Sequence, residues 1–180
     1  LRPGGRLEGA PLSRARQATV VPARAAALEG SSTDAVISAM DETNPGTFAT
    51  NWNAYPQAVR DQVSQLNGHT YGTGQRTTGR DIAKGEDKPL WMSEVGGNWS
   101  STGQDFETME SGLGSAQHIV DALRELAPRA GGFGQPVEAC ATVAPGGESA
   151  NGMNWGEIQI PFDCTAEDTL ETCRVYTQTQ

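Results

Sequence analysis

The chain has 180 residues and a formal net charge of -9, with apolar residues at 36% and 22 glycines, enough for one domain of modest core. Its charge is uneven: residues 1–24 carry five Arg against one acid, a local +4, which leaves eight bases against 21 acids, or -13, for the rest. An acidic body argues against nucleic acid or an anionic membrane as partner and fits a neutral substrate, and no run of 18 apolar residues is present to span a bilayer.

In chain order, residues 13–29 (SRARQATVVPARAAALE) read as one helix, with Ser13 as its N-cap and Pro22 as a point of damage inside it. The β-branched run 34–40 (DAVISAM) reads as a strand that delivers Asp41 and Glu42 to a polar loop. Val59, Val63 and Leu66 fall at helical spacing, which predicts a helix over 53–66. A short strand over 66–71 (LNGHTY) follows, then a Gly- and Thr-rich loop and a brief helix near 80–84.

The clearest strand is 89–95 (PLWMSEV), whose apolar run stops at Gly96 and Gly97 and leaves Glu94 at its C-terminal lip. After it, Phe106, Met109, Leu113, Ala116, Val120, Leu123 and Ala127 predict a helix that is stopped by Pro128 and packs on that stripe. A last strand is expected over 130–137 (AGGFGQPV), weakened by three glycines. The alternation of helix and strand predicts an α/β fold with parallel strands and right-handed crossovers. Residues 139–180 leave that rhythm; within them NWGEIQIPFDC reads as turn and strand, and Cys164 and Cys173 bracket a loop short enough to close as a disulfide. A disulfide implies an oxidising, extracellular setting. Cys140 is left over, and neither His lies near a Cys in sequence as a zinc site would require.

Functional groups of an α/β sheet collect where strands end. Those ends offer Asp41 and Glu42, then His69 and Tyr71, then Glu94, then Gln135 and Glu138, with Trp99 close by in sequence. Asp41 and Glu42 precede a helix, and capping its N-terminus is an ordinary role for them. Glu94 stands out because two glycines beside it let a ligand approach. His69 and Tyr71, two apart on a strand, point to one side and can orient Glu94. A serine-hydrolase reading fails, since Ser93 alternates away from Glu94 and no G-x-S-x-G elbow occurs.

The stretches DAVISAMDETN, LNGHTYGTGQRTT and above all KPLWMSEVGGNWS resemble strands five, six and seven of glycoside hydrolase family 30, in its secreted endo-β-1,6-galactanase-like branch. SGLGSAQHIVDALRELAP, GQPVE and APGGESANGMNWGEIQIPFDC extend the likeness over about residues 5 to 176. The resemblance implies that residues 1–138 are the C-terminal half of a (β/α)8 TIM barrel, strands five to eight, and that 139–180 form a post-barrel loop and Cys-bracketed segment. It implies retaining chemistry on a polysaccharide, without a cofactor, with Glu94 as nucleophile. His69 and Tyr71 would hold that carboxylate, and Glu42, Trp99, Gln135 and Glu138 would line the sugar site.

A retaining enzyme also needs an acid/base carboxyl about 5 Å from the nucleophile. The family draws it from an Asn-Glu pair ending strand four, and no Asn-Glu dipeptide occurs in this sequence, so the chain is expected to be inactive alone. Two other readings stand beside this one. The first is a non-catalytic half barrel that self-associates or binds sugar, and the second is a cellulase-like glycosidase of the same clan.

Overall fold

The computed structural model describes residues 12–72, 74–96, 109–133, 137–139, 158–160 and 176–177, with side chains as far as Gly132. The described residues fall into two compact units: one runs to Val95 and resumes over Asp121–Gly132, and the other takes the helix up to Val120 and the residues after Gly132.

The first unit is an α/β layer built on a four-stranded parallel sheet of order β1-β2-β3-β4. Helix α1 (Arg14–Glu29) is capped by Ser13 and runs unbroken through Pro22. Strand β1 is Ser38–Glu42, so the extended run lies a few residues later than expected and takes Asp41 and Glu42 into the strand itself. Asn44 then caps α2 (Pro45–Ala54), its Oδ1 accepting from the Thr47 amide at 2.9 Å with Pro45 in the first turn. Asn44 therefore performs the capping role that the sequence offered to Asp41 and Glu42.

The helix expected over 53–66 is not formed. Tyr55 is extended, as a residue before proline prefers, so α2 ends there. The short α3 (Gln57–Arg60) follows, and Gln65–Gly68 form β2. Val59, Val63 and Leu66 are all buried, although they sit on a helix, in a loop and on a strand; their spacing reported burial and not helix. Helix α4 (Arg76–Gly85) and strand β3 (Leu90–Val95) come next. The β1–β2 and β2–β3 pairs are parallel, with Leu66 opposite Leu90 and Gly68 opposite Met92. Strand β4 is Ala130–Phe133; Val137–Ala139 form a separate strand, β5, so the single strand expected over 130–137 is two.

Alternation sets the two faces of this sheet apart. Leu66, Leu90 and Met92 are buried, and Gly68 lies under the Phe48 ring of α2, which marks this as the helix-covered face. Phe48 and Trp52, at 1% and 0% exposure, fill the layer between α2 and the sheet. The other face carries Ser38, Gln65, Asn67, Trp91 and Ser93 around a cavity of about 430 Å³, and Trp91 is 43% exposed. Asn67 and Gln65 both donate to Ser38 Oγ, at 2.6 and 3.2 Å, so this face is a polar ladder and not a second apolar core.

Polar ties fasten the helices. Tyr55 donates to Gln17 of α1 at 2.5 Å, Trp52 Nε1 donates to Glu86 at 3.1 Å, and the buried Arg76 reaches Glu125 at 3.2 Å.

Helix α5 (Met109–Asp121) continues into a π-helical turn, Ala122–Leu126, and ends before Pro128 as expected. Its apolar stripe does not face inward: Met109, Leu113, Val120 and Leu123 are 47–69% exposed, while Ser111, Ser115, His118, Ala122 and Leu126 are buried. Those five also recur at helical spacing, and hydrophobicity alone selected the wrong face because several of the inward side chains are small and polar.

The second unit contributes a three-stranded sheet of order β5-β6-β7, with β6 Ile158–Ile160 and β7 Tyr176–Thr177. Strand β5 pairs with β6 in parallel, and β6 with β7 antiparallel. The strand expected in NWGEIQIPFDC is β6; Cys140, Cys164 and Cys173 lie outside the described residues. Among the described residues no helix is long and apolar enough to cross a membrane.

Candidate active site

Three strands bring their C-terminal ends together through the backbone. The His69 amide donates to the Glu42 carbonyl at 2.7 Å, and the Thr70 amide to the Glu94 carbonyl at 3.4 Å. Strand β1 carries a bulge here: Met40 pairs with Asn67 and Glu42 with Gly68, leaving Asp41 as the extra residue. Asp41 has φ of 63°, a left-handed conformation that Asp tolerates better than most side chains.

The bulge separates the two acids. Glu42, 2% exposed, points into the helix layer, where Asn51 Nδ2 donates to its Oε1 at 2.7 Å. Asp41 is 56% exposed and accepts from Ser93 Oγ at 2.5 Å.

A four-residue chain of contacts results. Asp41 Oδ1 lies 3.3 Å from His69 Nε2, His69 Nδ1 lies 3.7 Å from Glu94 Oε1, and Tyr71 Oη donates to that same oxygen at 2.6 Å. His69 is 13% exposed, its ring edge-on to Tyr71 with centroids 5.8 Å apart. The Glu94 side chain is 47% exposed. Both of its contacts fall on Oε1, so among the described residues Oε2 is left without a hydrogen bond. One oxygen is anchored and the other is presented, which is what a carboxylate nucleophile requires.

The His69 imidazole beside Asp41, helped by the Ser93 hydroxyl, outweighs partial burial and holds the Asp41 carboxyl below the usual carboxylate range. The sign is that of a depressed acid: Asp41 stabilises the fold above its ordinary value of 3.8 and loses that contribution as pH falls through its lowered value. A carboxylate held this way is a poor proton donor near neutrality.

Of the residues selected from sequence, His69, Tyr71 and Glu94 are brought together, and Glu42 is turned into the helix layer away from them. Trp99 and Gln135 lie outside the described residues, and Glu138 is placed in β5 by its backbone alone. Sequence reasoning offered Asp41 among the strand-end groups but carried only Glu42 to the sugar site, and it turned Ser93 away from Glu94. Two adjacent acids on a strand face opposite ways, which was readable, but the bulge that decides which one joins His69 was not. Among the described residues no group of three or more His, Cys, Asp or Glu could hold a metal ion.

No family model matches the chain. It is similar to an exo-beta-1,6-galactobiohydrolase of Bifidobacterium longum subsp. longum, 36% identical over 164 residues. That alignment takes in 88% of this chain and 11% of the relative, so the chain spans a small part of the protein it matches.

Proposed function

We propose that this chain is the nucleophile-bearing part of a retaining glycoside hydrolase of family 30 that cleaves β-1,6-linked galactan, with Glu94 attacking the anomeric carbon. The observation that carries the reading is the half-exposed Glu94 at the end of β3, its Oε1 held by Tyr71 at 2.6 Å and faced by His69. The name of the similar Bifidobacterium protein supports the galactan substrate. The sheet supports a partial (β/α)8 barrel, strands five to eight: helices cover one face, and the other is a polar ladder around a cavity, as the wall of a barrel would be. We propose that the polysaccharide is met outside the cell, with Cys164 paired to Cys173.

The acid/base is assigned to a segment other than this one. Asp41 is committed to His69 and Ser93, and Glu42 is buried against Asn51. Among the described residues, neither of these acids is therefore free to protonate a sugar leaving group beside Glu94.

An activated substrate removes that requirement, because dinitrophenolate departs without protonation. Incubation with a 2,4-dinitrophenyl 2-deoxy-2-fluoro-β-galactoside, followed by peptide mass mapping, is expected to find one sugar on Glu94. A label on another carboxylate, or no label at all, overturns the nucleophile assignment. On β-1,6-galactan itself no turnover is expected, and turnover lost in Glu94→Gln would overturn the assignment of the acid/base to another segment.

A second reading is favoured by β1 and β4 being the outer strands of the described sheet: pairing with another copy or with a complementary half barrel. A monomer at all concentrations in sedimentation would count against it.

A further inference from the structure

His69 lies between two carboxylates. Its Nε2 side meets Asp41 of β1 at 3.3 Å and its Nδ1 side meets Glu94 of β3 at 3.7 Å, while the Tyr71 ring from the segment after β2 closes the edge. Among the described residues these three are the titratable groups that face the ring from the elements around it. The ring is thus the element through which the ends of β1 and β3 meet at this site.

The Nε2 atom is buried and has no well-aligned hydrogen bond. Among the described residues its close acceptor is Asp41 Oδ1, at ion-pair distance, and Asp41 is itself fixed by the Ser93 hydroxyl at 2.5 Å. The bulge at Asp41 serves this contact, since it turns Asp41 toward Ser93 and His69 while Glu42 goes to the helix layer.

We propose that Asp41 is a positioning residue: acting through His69, it fixes the ring beside Glu94 Oε1, so that the Glu94 carboxylate is held with Oε2 presented to substrate. The proposal rests on the nucleophile role assigned to Glu94. Asp41 touches neither substrate nor the reacting atoms in this account, and Ser93 acts one step further back by fixing Asp41.

Asp41 stands on β1 and Glu94 on β3, with the His69 ring between their contacts, so removing the Asp41 carboxylate frees one side of the ring and loosens what backs Glu94 Oε1.

The test is the saturation kinetics of Glu94 labelling by the dinitrophenyl fluoro-galactoside in the full chain, with Asp41→Asn and Ser93→Ala as variants. Asn tolerates the left-handed backbone at position 41. In Asp41→Asn the limiting labelling rate is expected to fall roughly 10- to 100-fold, with half-saturation unchanged. Ser93→Ala should lower the limiting rate by less. An unchanged limiting rate in folded Asp41→Asn, or a loss carried by half-saturation instead, overturns the proposal. If Asp41→Asn does not fold, Ser93→Ala decides by the same criteria. Absence of label in the unmodified chain would instead overturn the nucleophile assignment, so the two failures are distinguishable.

Discussion

Tyr71 donates its phenolic hydrogen to Glu94 Oε1 at 2.6 Å, across 23 residues of sequence, and so joins the loop after β2 to the end of β3. Both side chains are substantially exposed, at 39% for Tyr71 and 47% for the Glu94 side chain, so the bond orients a group at the surface and adds little to the core. Tyr71→Phe should therefore change stability by less than about 0.5 kcal/mol, read as the urea midpoint. The rate of Glu94 labelling should fall roughly 10- to 100-fold, since a loosened carboxylate loses its attack geometry. Equal losses of stability and labelling would mean that the contact is structural.

The contrast between Tyr71 and Val63 separates what the sequence disclosed from what it did not. Strand ends, and hence the convergence of His69, Tyr71 and Glu94, follow from apolar runs that stop at polar or glycine residues, which is a local signal. The helix expected through Val59, Val63 and Leu66 failed because apolar spacing marks burial, and three different local structures bury those residues equally well. The boundary that mattered was Asn44-Pro45, a cap followed by a first-turn proline, and it placed α2 earlier in the chain. The bulge at Asp41 depends on register with β2 and has no local signature.

Glycines give a second prediction, because their meaning in a strand is set by what lies opposite. A methyl at Gly132 would sit 2.6 Å from the Ser93 carbonyl oxygen, a backbone atom that cannot yield without moving β3. At Gly68 the nearest atom is a Phe48 ring carbon at 3.7 Å, an ordinary contact. Gly132→Ala should thus cost about 1–3 kcal/mol and reduce Glu94 labelling, since Ser93 and Glu94 share that strand. Gly68→Ala should be within about 1 kcal/mol of neutral by the same urea midpoint. Equal effects would mean that the close approach of β4 to β3 is absent in solution. The glycines that weaken the sequence signal for β4 include one that the sheet requires.

The buried Glu42 yields a third. Asn51 Nδ2 donates to Glu42 Oε1 at 2.7 Å, beneath α2 and away from the cluster around His69. Asn51→Ala leaves a buried acceptor without its donor and should destabilise by about 1.5–3 kcal/mol. Labelling of Glu94 in the folded fraction should be unaffected, because Glu42 touches neither His69 nor Glu94 by its side chain. A loss of labelling without a loss of stability would return Glu42 to the substrate site.

Tyr55 gives the clearest dependence on pH. It is 4% exposed, donates to Gln17 Oε1 at 2.5 Å, and burial, assisted by the nearby Glu42 charge, pushes its hydroxyl up to about 12 from an ordinary 10.0. A raised value in the folded state means that between pH 10 and 12 the unfolded chain has released this proton while the folded chain still holds it. Stability is therefore intact below pH 10 and declines through that window, by on the order of 2–3 kcal/mol at its end. Lysines titrate in the same range, so the measurement is the difference between the unmodified chain and Tyr55→Phe, each unfolded in urea at pH 8 and pH 11. The variant should be less stable by about 1 kcal/mol at pH 8, for the lost bond to Gln17, and should narrow or close that gap at pH 11. A gap that stays constant would mean that the Tyr55 hydroxyl reaches water in the folded chain, and that the tie between α1 and α2 is open in solution.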